Sequence, residues 1–155
     1  PVIPKVGARI MSLQDPSKKM SKSDQEGNKG VIFLKDTHKQ ARKKIMSSVT
    51  DSLNSVRYNP EEQAGISNLL TIYASLKNIS VQAAEDTFKE AQYGTFKKAV
   101  ADLVCETLET IQSKALTIRE SGDLTEILAK GAEKIRPTAQ KTLNDVQRKM
   151  GLDWK

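Results

Sequence analysis

A long amphipathic pattern at about residues 95–119 constrains the fold of this 155-residue chain more than any other feature. Apolar residues recur in it at three- and four-residue spacing, which aligns them along one side of an α-helix. The stripe consists of Phe96, Val100, Leu103, Val104, Ile111, Ala115 and Ile118, with Leu108 close to it. A helix of this length buries its apolar side against other elements, so we predict a domain of packed helices.

Shorter patterns before the long helix predict further helices. We expect one at about 37–48 with Asp36 as its N-cap, a helix start at 59–61, a helix at about 66–77, and another capped by Ser80. The polar side of the first of these helices is basic, and it would face either solvent or an RNA backbone. Its charged residues are Lys39, Arg42, Lys43 and Lys44.

The C-terminal segment predicts two more helices. Asp123 and Glu126 form a capping-box-like start for a short helix that Gly131 would end, and Pro137 suits the first turn of a final helix. We expect Trp154 to be a packing residue or part of a loose tail. The fold class that these patterns predict is mainly α, a bundle of about five or six helices.

The N-terminal segment has a different character. Residues 8–13 predict a short strand, a loop follows to about Gly30, and the apolar run at 31–34 is either a buried strand or the entry to a helix. We therefore expect a strand–loop piece before the helical bundle.

The loop contains the sequence Lys-Met-Ser-Lys-Ser at residues 19–23. Two lysines and two serines in a non-helical segment can surround a polyphosphate with ammonium and hydroxyl groups. A solvated basic loop is the alternative, and the five residues by themselves leave both interpretations open.

The net charge of +6 is concentrated near this loop. Residues 1–57 contain 12 Lys and Arg against 5 Asp and Glu, whereas residues 58–155 contain 13 against 14. This asymmetry favours an anionic partner at the N-terminal end, meaning a nucleotide, a polyphosphate or RNA.

Other classes of site and location find little support in the composition. The single cysteine, Cys105, cannot form an internal disulfide and lies on the apolar stripe, so we expect a buried thiol in a reducing, cytoplasmic setting. The single histidine, His38, is too isolated to build a metal or catalytic centre. No apolar run approaches the length of a membrane span.

Four separate motifs together resemble one known family. The loop at 19–23, Gly-Ala-Arg-Ile-Met-Ser-Leu-Gln-Asp-Pro at 7–16, Ser-Val-Thr-Asp-Ser at 48–52 and Gly-Ile-Ser-Asn-Leu-Leu at 65–70 are similar to the C-terminal half of bacterial-type tryptophanyl-tRNA synthetases, class I aminoacyl-tRNA synthetases. The resemblance extends over essentially the whole chain.

The resemblance implies a function and a domain organisation. Enzymes of this family activate tryptophan with ATP and transfer it to tRNA(Trp), using ATP with Mg²⁺, and they act as homodimers. Residues 1–50 would be the C-terminal piece of the Rossmann-like catalytic domain, and residues 51–155 an α-helical domain that binds the tRNA anticodon. No protein-bound metal is expected.

The resemblance also implies roles for individual residues. Lys19 and Lys22 would be catalytic, binding the ATP triphosphate, with Lys22 meeting the departing pyrophosphate. The main chain of Ile10 would recognise adenine. The implied ATP-binding residues are Ile10, Lys19, Met20, Ser21, Lys22 and Ser23.

The second signature of the class, a His-Ile-Gly-His-type motif, does not occur in the sequence. We therefore expect the chain to be a fragment that is inactive alone, with most of the tryptophan pocket elsewhere. Two alternatives stay open: a fragment of a tyrosyl-type class I synthetase, and a stand-alone helical RNA-binding module.

Overall fold

The computed structural model describes residues 7–152 and contains five α-helices. They are α1 (His38–Met46), α2 (Ala64–Lys77), α3 (Val81–Phe88), α4 (Tyr93–Glu120) and α5 (Asp123–Lys149). The mainly helical fold class predicted from the sequence is confirmed. Trp154 lies outside the described residues.

The strand predicted at 8–13 is replaced by irregular backbone with one antiparallel bridge, between Met11 and Lys19. The apolar run at 31–34 is likewise neither strand nor helix. Both segments contact loops and helix side chains rather than a neighbouring strand, so a ladder of paired strands does not form.

The chain divides into two compact units, one up to Gln112 and one from Ser113 onward. In the first unit, α2 and the first half of α4 contribute most of the core. Phe96, Ile66, Leu69, Leu70 and Val100 are fully buried. Burying side chains of this size contributes about 1.5–3 kcal/mol each, which fixes α2 and α4 in this unit.

An aromatic group lies at the edge of this core. The Phe88 ring lies 4.9 Å from the Tyr73 ring, nearly perpendicular to it, and 4.9 Å from the Phe96 ring. Cys105 is buried in the same core, as predicted. Ser80 caps α3 by accepting a hydrogen bond from the Ala83 amide, which confirms the predicted start of that helix.

The N-cap of α1 lies one residue later than predicted. Thr37 is the N-cap and forms a capping box with Gln40, while the Asp36 side chain is buried instead. The predicted helix start at 59–61 is a turn in which Asn59 accepts hydrogen bonds from the amides of Glu61 and Glu62. Helix α2 then begins at Ala64.

The second unit contains the end of α4 and helix α5. The predicted break between Gly131 and Pro137 is wrong, because α5 runs continuously from Asp123 to Lys149. A glycine costs a helix about 1 kcal/mol and a proline about 3 kcal/mol, and the Ala, Glu, Lys, Leu and Arg residues around them favour the helix. No described residue of α5 is buried.

The apolar stripe of α4 is buried over only part of its length. Its buried residues end at Leu108, whereas Ile111 and Ile118 are 41% and 47% exposed. The expectation that the whole stripe packs in a core is therefore met only as far as Leu108.

Gly65 allows α2 to approach the preceding segment closely. A Cβ atom at this position would lie 2.1 Å from the Val49 carbonyl oxygen. Because main chain cannot move aside cheaply, Gly65→Ala should lower the free energy of unfolding by about 1–3 kcal/mol, measured by denaturant titration at constant m value.

Gly94 provides a matched control, since it is the second residue of α4 as Gly65 is of α2. No atom lies within 4 Å of a Cβ built at Gly94. Gly94→Ala should therefore be neutral or slightly stabilising. Equal effects of the two substitutions would contradict the close-contact explanation.

Candidate functional site

Two short segments pair at the base of the loop that contains residues 19–23. The Ser12 amide donates to the Lys18 carbonyl at 2.8 Å, and the Met20 amide donates to the Ile10 carbonyl at 3.0 Å. The bridge between Met11 and Lys19 lies between these two bonds. The pairing places Ile10 directly beside the start of the loop.

The turn that joins the two segments is closed by Asp15. Its carboxylate accepts from the Ser17 hydroxyl and amide and pairs with the Lys18 ammonium at 2.9 Å. The Ser17 hydroxyl first, and Lys18 second, lower the pKa of Asp15 from 3.8 to about 2. The carboxylate therefore stays ionised, and the charge of Lys18 is engaged within the turn.

Residues 21–24 form a second turn. The Asp24 amide donates to the Ser21 carbonyl at 3.3 Å, and the Ser23 amide donates to the Ser21 hydroxyl at 3.2 Å. This turn places Lys22 at an exposed corner, while Met20 packs against the core. Lys22 can therefore move toward an anion without disturbing the loop base.

Residues 19–23 line an open concavity of about 450 Å³. Between residues 7 and 152, no carboxylate lies within ion-pair distance of Lys19 or Lys22. Two exposed ammonium groups without an acidic partner can neutralise a multiply charged anion. The structure thus brings all six predicted ATP-binding residues together, with Ile10 and Met20 hydrogen-bonded to each other.

The far end of the loop returns to its beginning. The Leu13 amide donates to the Gly30 carbonyl at 2.9 Å, and the Gly30 amide donates to the Asn28 side chain at 2.7 Å. The Val49 amide in turn donates to the Leu13 carbonyl at 2.8 Å. Leu13 therefore joins three segments that are distant in the sequence.

A buried ion pair anchors the segment that follows the loop. The Lys44 ammonium bonds both Asp36 carboxylate oxygens, at 2.8 and 2.7 Å, and the Val31 carbonyl at 2.8 Å. It also lies 4.7 Å from the centroid of the Phe33 ring. Placing Lys44 on the exposed basic face of α1 was wrong, although its spacing of three from the buried Ala41 indicates the apolar side.

A second polar cluster joins residues 51–55 to the starts of α2 and α4. The Asp51 carboxylate accepts from the Tyr93 hydroxyl and the Gln63 side-chain nitrogen, and that nitrogen also donates to the Ser55 carbonyl at 2.7 Å. Burial alone would raise the pKa of Asp51, but hydrogen bonds from Tyr93, the Leu53 amide and Gln63 outweigh it, so the pKa is lowered.

This cluster predicts a pH-dependent stability. Because the folded-state pKa of Asp51 is below its ordinary 3.8, its contribution is present at neutral pH and is lost as the pH falls through that folded pKa. Tyr93→Phe should raise the Asp51 pKa and remove about 1 kcal/mol at pH 7, with a smaller effect in acid. Carboxyl NMR titration and denaturation at both pH values measure this, and exposed Tyr58→Phe is the control.

The part of the chain that the structure describes lacks two other kinds of feature. No cluster of three or more His, Cys, Asp or Glu side chains within residues 7–152 could hold a metal ion. Among the same residues, no helix combines the length and apolar character needed to cross a membrane.

Comparison with known proteins gives consistent matches. A family model described as "tRNA synthetases class I (W and Y)" matches residues 2–109. The chain is 48% identical over 153 residues to the tryptophan–tRNA ligase of Wolinella succinogenes, and 47% identical over 153 residues to that of Bacillus subtilis. These alignments cover 98% and 99% of this chain.

A solved structure gives the same result. The tryptophanyl-tRNA synthetase from Mycoplasma pneumoniae superposes with a TM-score of 0.79 at 34% identity, covering 96% of this chain and 45% of that protein. The chain spans about half the length of the curated relatives it matches, 46% of each of the two named above.

Proposed function

Because the chain belongs to the class I tRNA synthetase family of tryptophan and tyrosine enzymes, we propose that it is the C-terminal half of a tryptophan–tRNA ligase. The full-length protein would activate tryptophan with ATP and transfer it to tRNA(Trp). The observation that carries this proposal is the loop at 19–23. It presents Lys19 and Lys22 around an open concavity, and neither lysine has an acidic partner among residues 7–152.

The chemistry of activation explains why such a loop is useful. The tryptophan carboxylate attacks the α-phosphate of ATP, the bond to the β-phosphate breaks, and pyrophosphate leaves with additional negative charge. Cationic groups that meet this charge mainly in the transition state raise the rate. Lys22, at the exposed corner of its turn, is suited to meet the pyrophosphate, and Lys19 to bind the triphosphate.

The remaining loop residues would hold the nucleotide. Ser21 and Ser23 supply hydroxyl groups for phosphate oxygens or for the loop's own turn, and Met20 brings main-chain groups close. The Ile10 carbonyl already accepts from the Met20 amide, so its second lone pair remains for adenine. Mg²⁺ would arrive with the ATP phosphates, which supply most of its ligands.

We propose the functional division 1–50 for the loop-bearing piece of the catalytic domain and 51–155 for the tRNA-binding helical domain. The surplus of positive charge lies in residues 1–57, so the nucleotide and the adjoining part of the tRNA would approach that end. We further propose that the full-length enzyme is a homodimer and is cytoplasmic.

The decisive experiment is pyrophosphate exchange by the full-length protein with each amino acid in turn. Tryptophan should support exchange and tyrosine should not. Exchange with tyrosine would favour a tyrosyl-type enzyme. Exchange with no amino acid, together with tight tRNA binding by this chain, would instead favour an RNA-binding module.

The chain by itself should bind ATP only weakly. Lys19 and Lys22 are exposed to water, and exposed ion pairs contribute little affinity when one side of a site is missing. Isothermal titration should show no saturation at micromolar ATP, with the full-length protein as the control. Micromolar affinity of the isolated chain would contradict this expectation.

A further inference from the structure

The side chain of Asn68 in α2 bonds both the amide and the carbonyl of Met11. The Met11 amide donates to the Asn68 side-chain oxygen at 2.8 Å, and the Asn68 side-chain nitrogen donates to the Met11 carbonyl at 2.8 Å. A neighbouring strand makes this same pair of bonds to one residue in an antiparallel ladder. Asn68 therefore occupies the place of a strand partner.

The position of this contact connects it to the loop. The opposite side of Met11 forms the bridge with Lys19, which is flanked by the Met20–Ile10 bond and the Ser12–Lys18 bond. Asn68, Met11 and Lys19 thus follow one another across the loop base. Consecutive contacts therefore link the backbone of Lys19 to the side chain of Asn68, which is 57 residues from Met11 in the sequence.

The surroundings of Asn68 indicate that its amide has a specific role. The residue is 5% exposed, and a buried amide costs stability unless its polar atoms are bonded. Its neighbour Ser67 faces a different segment and accepts from the Asn59 amide at 2.9 Å. Within one turn, α2 therefore directs separate polar contacts at separate loops.

We propose that Asn68 is a positioning residue that holds the base of the loop at 19–23, so that Lys19 and Lys22 are presented in a fixed register. The clamp itself stands on the contacts above, and its effect on catalysis rests on the proposed function. Helix α2 thereby couples the helical region to the loop.

Amide hydrogen exchange on this chain tests the clamp directly. Asn68→Ala should lower the protection of the Met11 and Met20 amides roughly tenfold or more, because the Met11 amide loses its acceptor. The matched control Ser67→Ala loses a bond from the same helix and should reduce protection at Asn59, not at Met11. Unchanged protection at Met11 and Met20 in Asn68→Ala would overturn the proposal.

Asn68→Asp distinguishes the clamp from a general loss of folding. At about pH 8 the introduced carboxylate accepts from the Met11 amide but opposes the Met11 carbonyl. Once protonated, it can again donate to that carbonyl, and its burial raises the pKa at which this occurs. Protection, corrected for intrinsic exchange, should therefore recover toward about pH 5 in Asn68→Asp but not in Asn68→Ala. No recovery would overturn the clamp.

The full-length protein tests the consequence for catalysis. Asn68→Ala should lower kcat for pyrophosphate exchange roughly tenfold or more while changing KM for tryptophan little. Lost protection with an unchanged kcat would overturn the positioning role. A wild-type protein without exchange activity would refute the proposed function instead, and hydrogen exchange would still decide the clamp.

Discussion

Replacing Lys22 by alanine in the full-length protein should lower the rate of tryptophan-dependent pyrophosphate exchange by roughly 10²–10³-fold. Lys22 lies at the exposed corner of the turn at 21–24 and has no carboxylate partner within the described residues. Its loss would weaken the stabilisation of the developing pyrophosphate charge in the transition state more than it would weaken binding of ATP in the ground state. The effect should therefore fall mainly on kcat.

Lys18→Ala is the matched control for this experiment. It removes the same charge from the same loop, but its ammonium is paired with Asp15 within the first turn. We expect exchange by Lys18→Ala to stay within about threefold of wild type, since an exposed ion pair contributes little. Equal losses from the two lysines would show that general positive charge, rather than the position of Lys22, drives the rate. Near-normal exchange by Lys22→Ala would contradict its catalytic role.

The second large effect is expected at the buried ion pair. Lys44→Met should lower the free energy of unfolding by about 3–5 kcal/mol, because it leaves the Asp36 carboxylate buried without a counter-charge. Both side chains are 8% exposed, so water cannot replace the lost ammonium easily. Urea denaturation monitored by circular dichroism measures the difference.

Two further variants make this result specific. Arg42 lies on the same helix as Lys44, and Arg42→Met breaks its exposed ion pair with Asp102 of α4. This substitution should cost at most about 1 kcal/mol of unfolding free energy. Adding Asp36→Asn to Lys44→Met should recover part of the loss, because a neutral side chain can still accept from the Phe33 amide. A cost below about 1 kcal/mol for Lys44→Met would exclude the pair as an anchor.

Local patterns predicted the helices up to Glu120 well and failed beyond it. Three- and four-residue spacing located α2 and α4 to within a few residues, and the Ser80 cap located α3. Gly131 and Pro137 were interpreted as a break because each is unfavourable in a helix. Helix α5 nevertheless continues through both, since the residues on either side of them favour helix over a long range.

The candidate site likewise contains residues that the sequence identifies and residues that only the structure identifies. Residues 19–23 are recognisable because their chemistry is local, and neighbouring side chains act together on a phosphate. The residues that hold this loop in place are not recognisable, because their partners are distant in the sequence. Asn68 looks like an ordinary helix residue until its contact with Met11 is seen. The spacing of Lys44 from Ala41 indicates the apolar side of α1, but it does not identify Asp36 as its partner.

The joining role of Leu13 has a consequence for protein design. Its amide and carbonyl connect it to Gly30 and Val49, and Met11, two residues earlier, is bonded to Asn68. A grafted peptide that carries only the loop would lack Val49 and Asn68, and with them two of the contacts that hold its ends together. The five-residue signature is therefore not portable: the smallest transplantable unit includes helix α2, although the chemistry resides in residues 19–23.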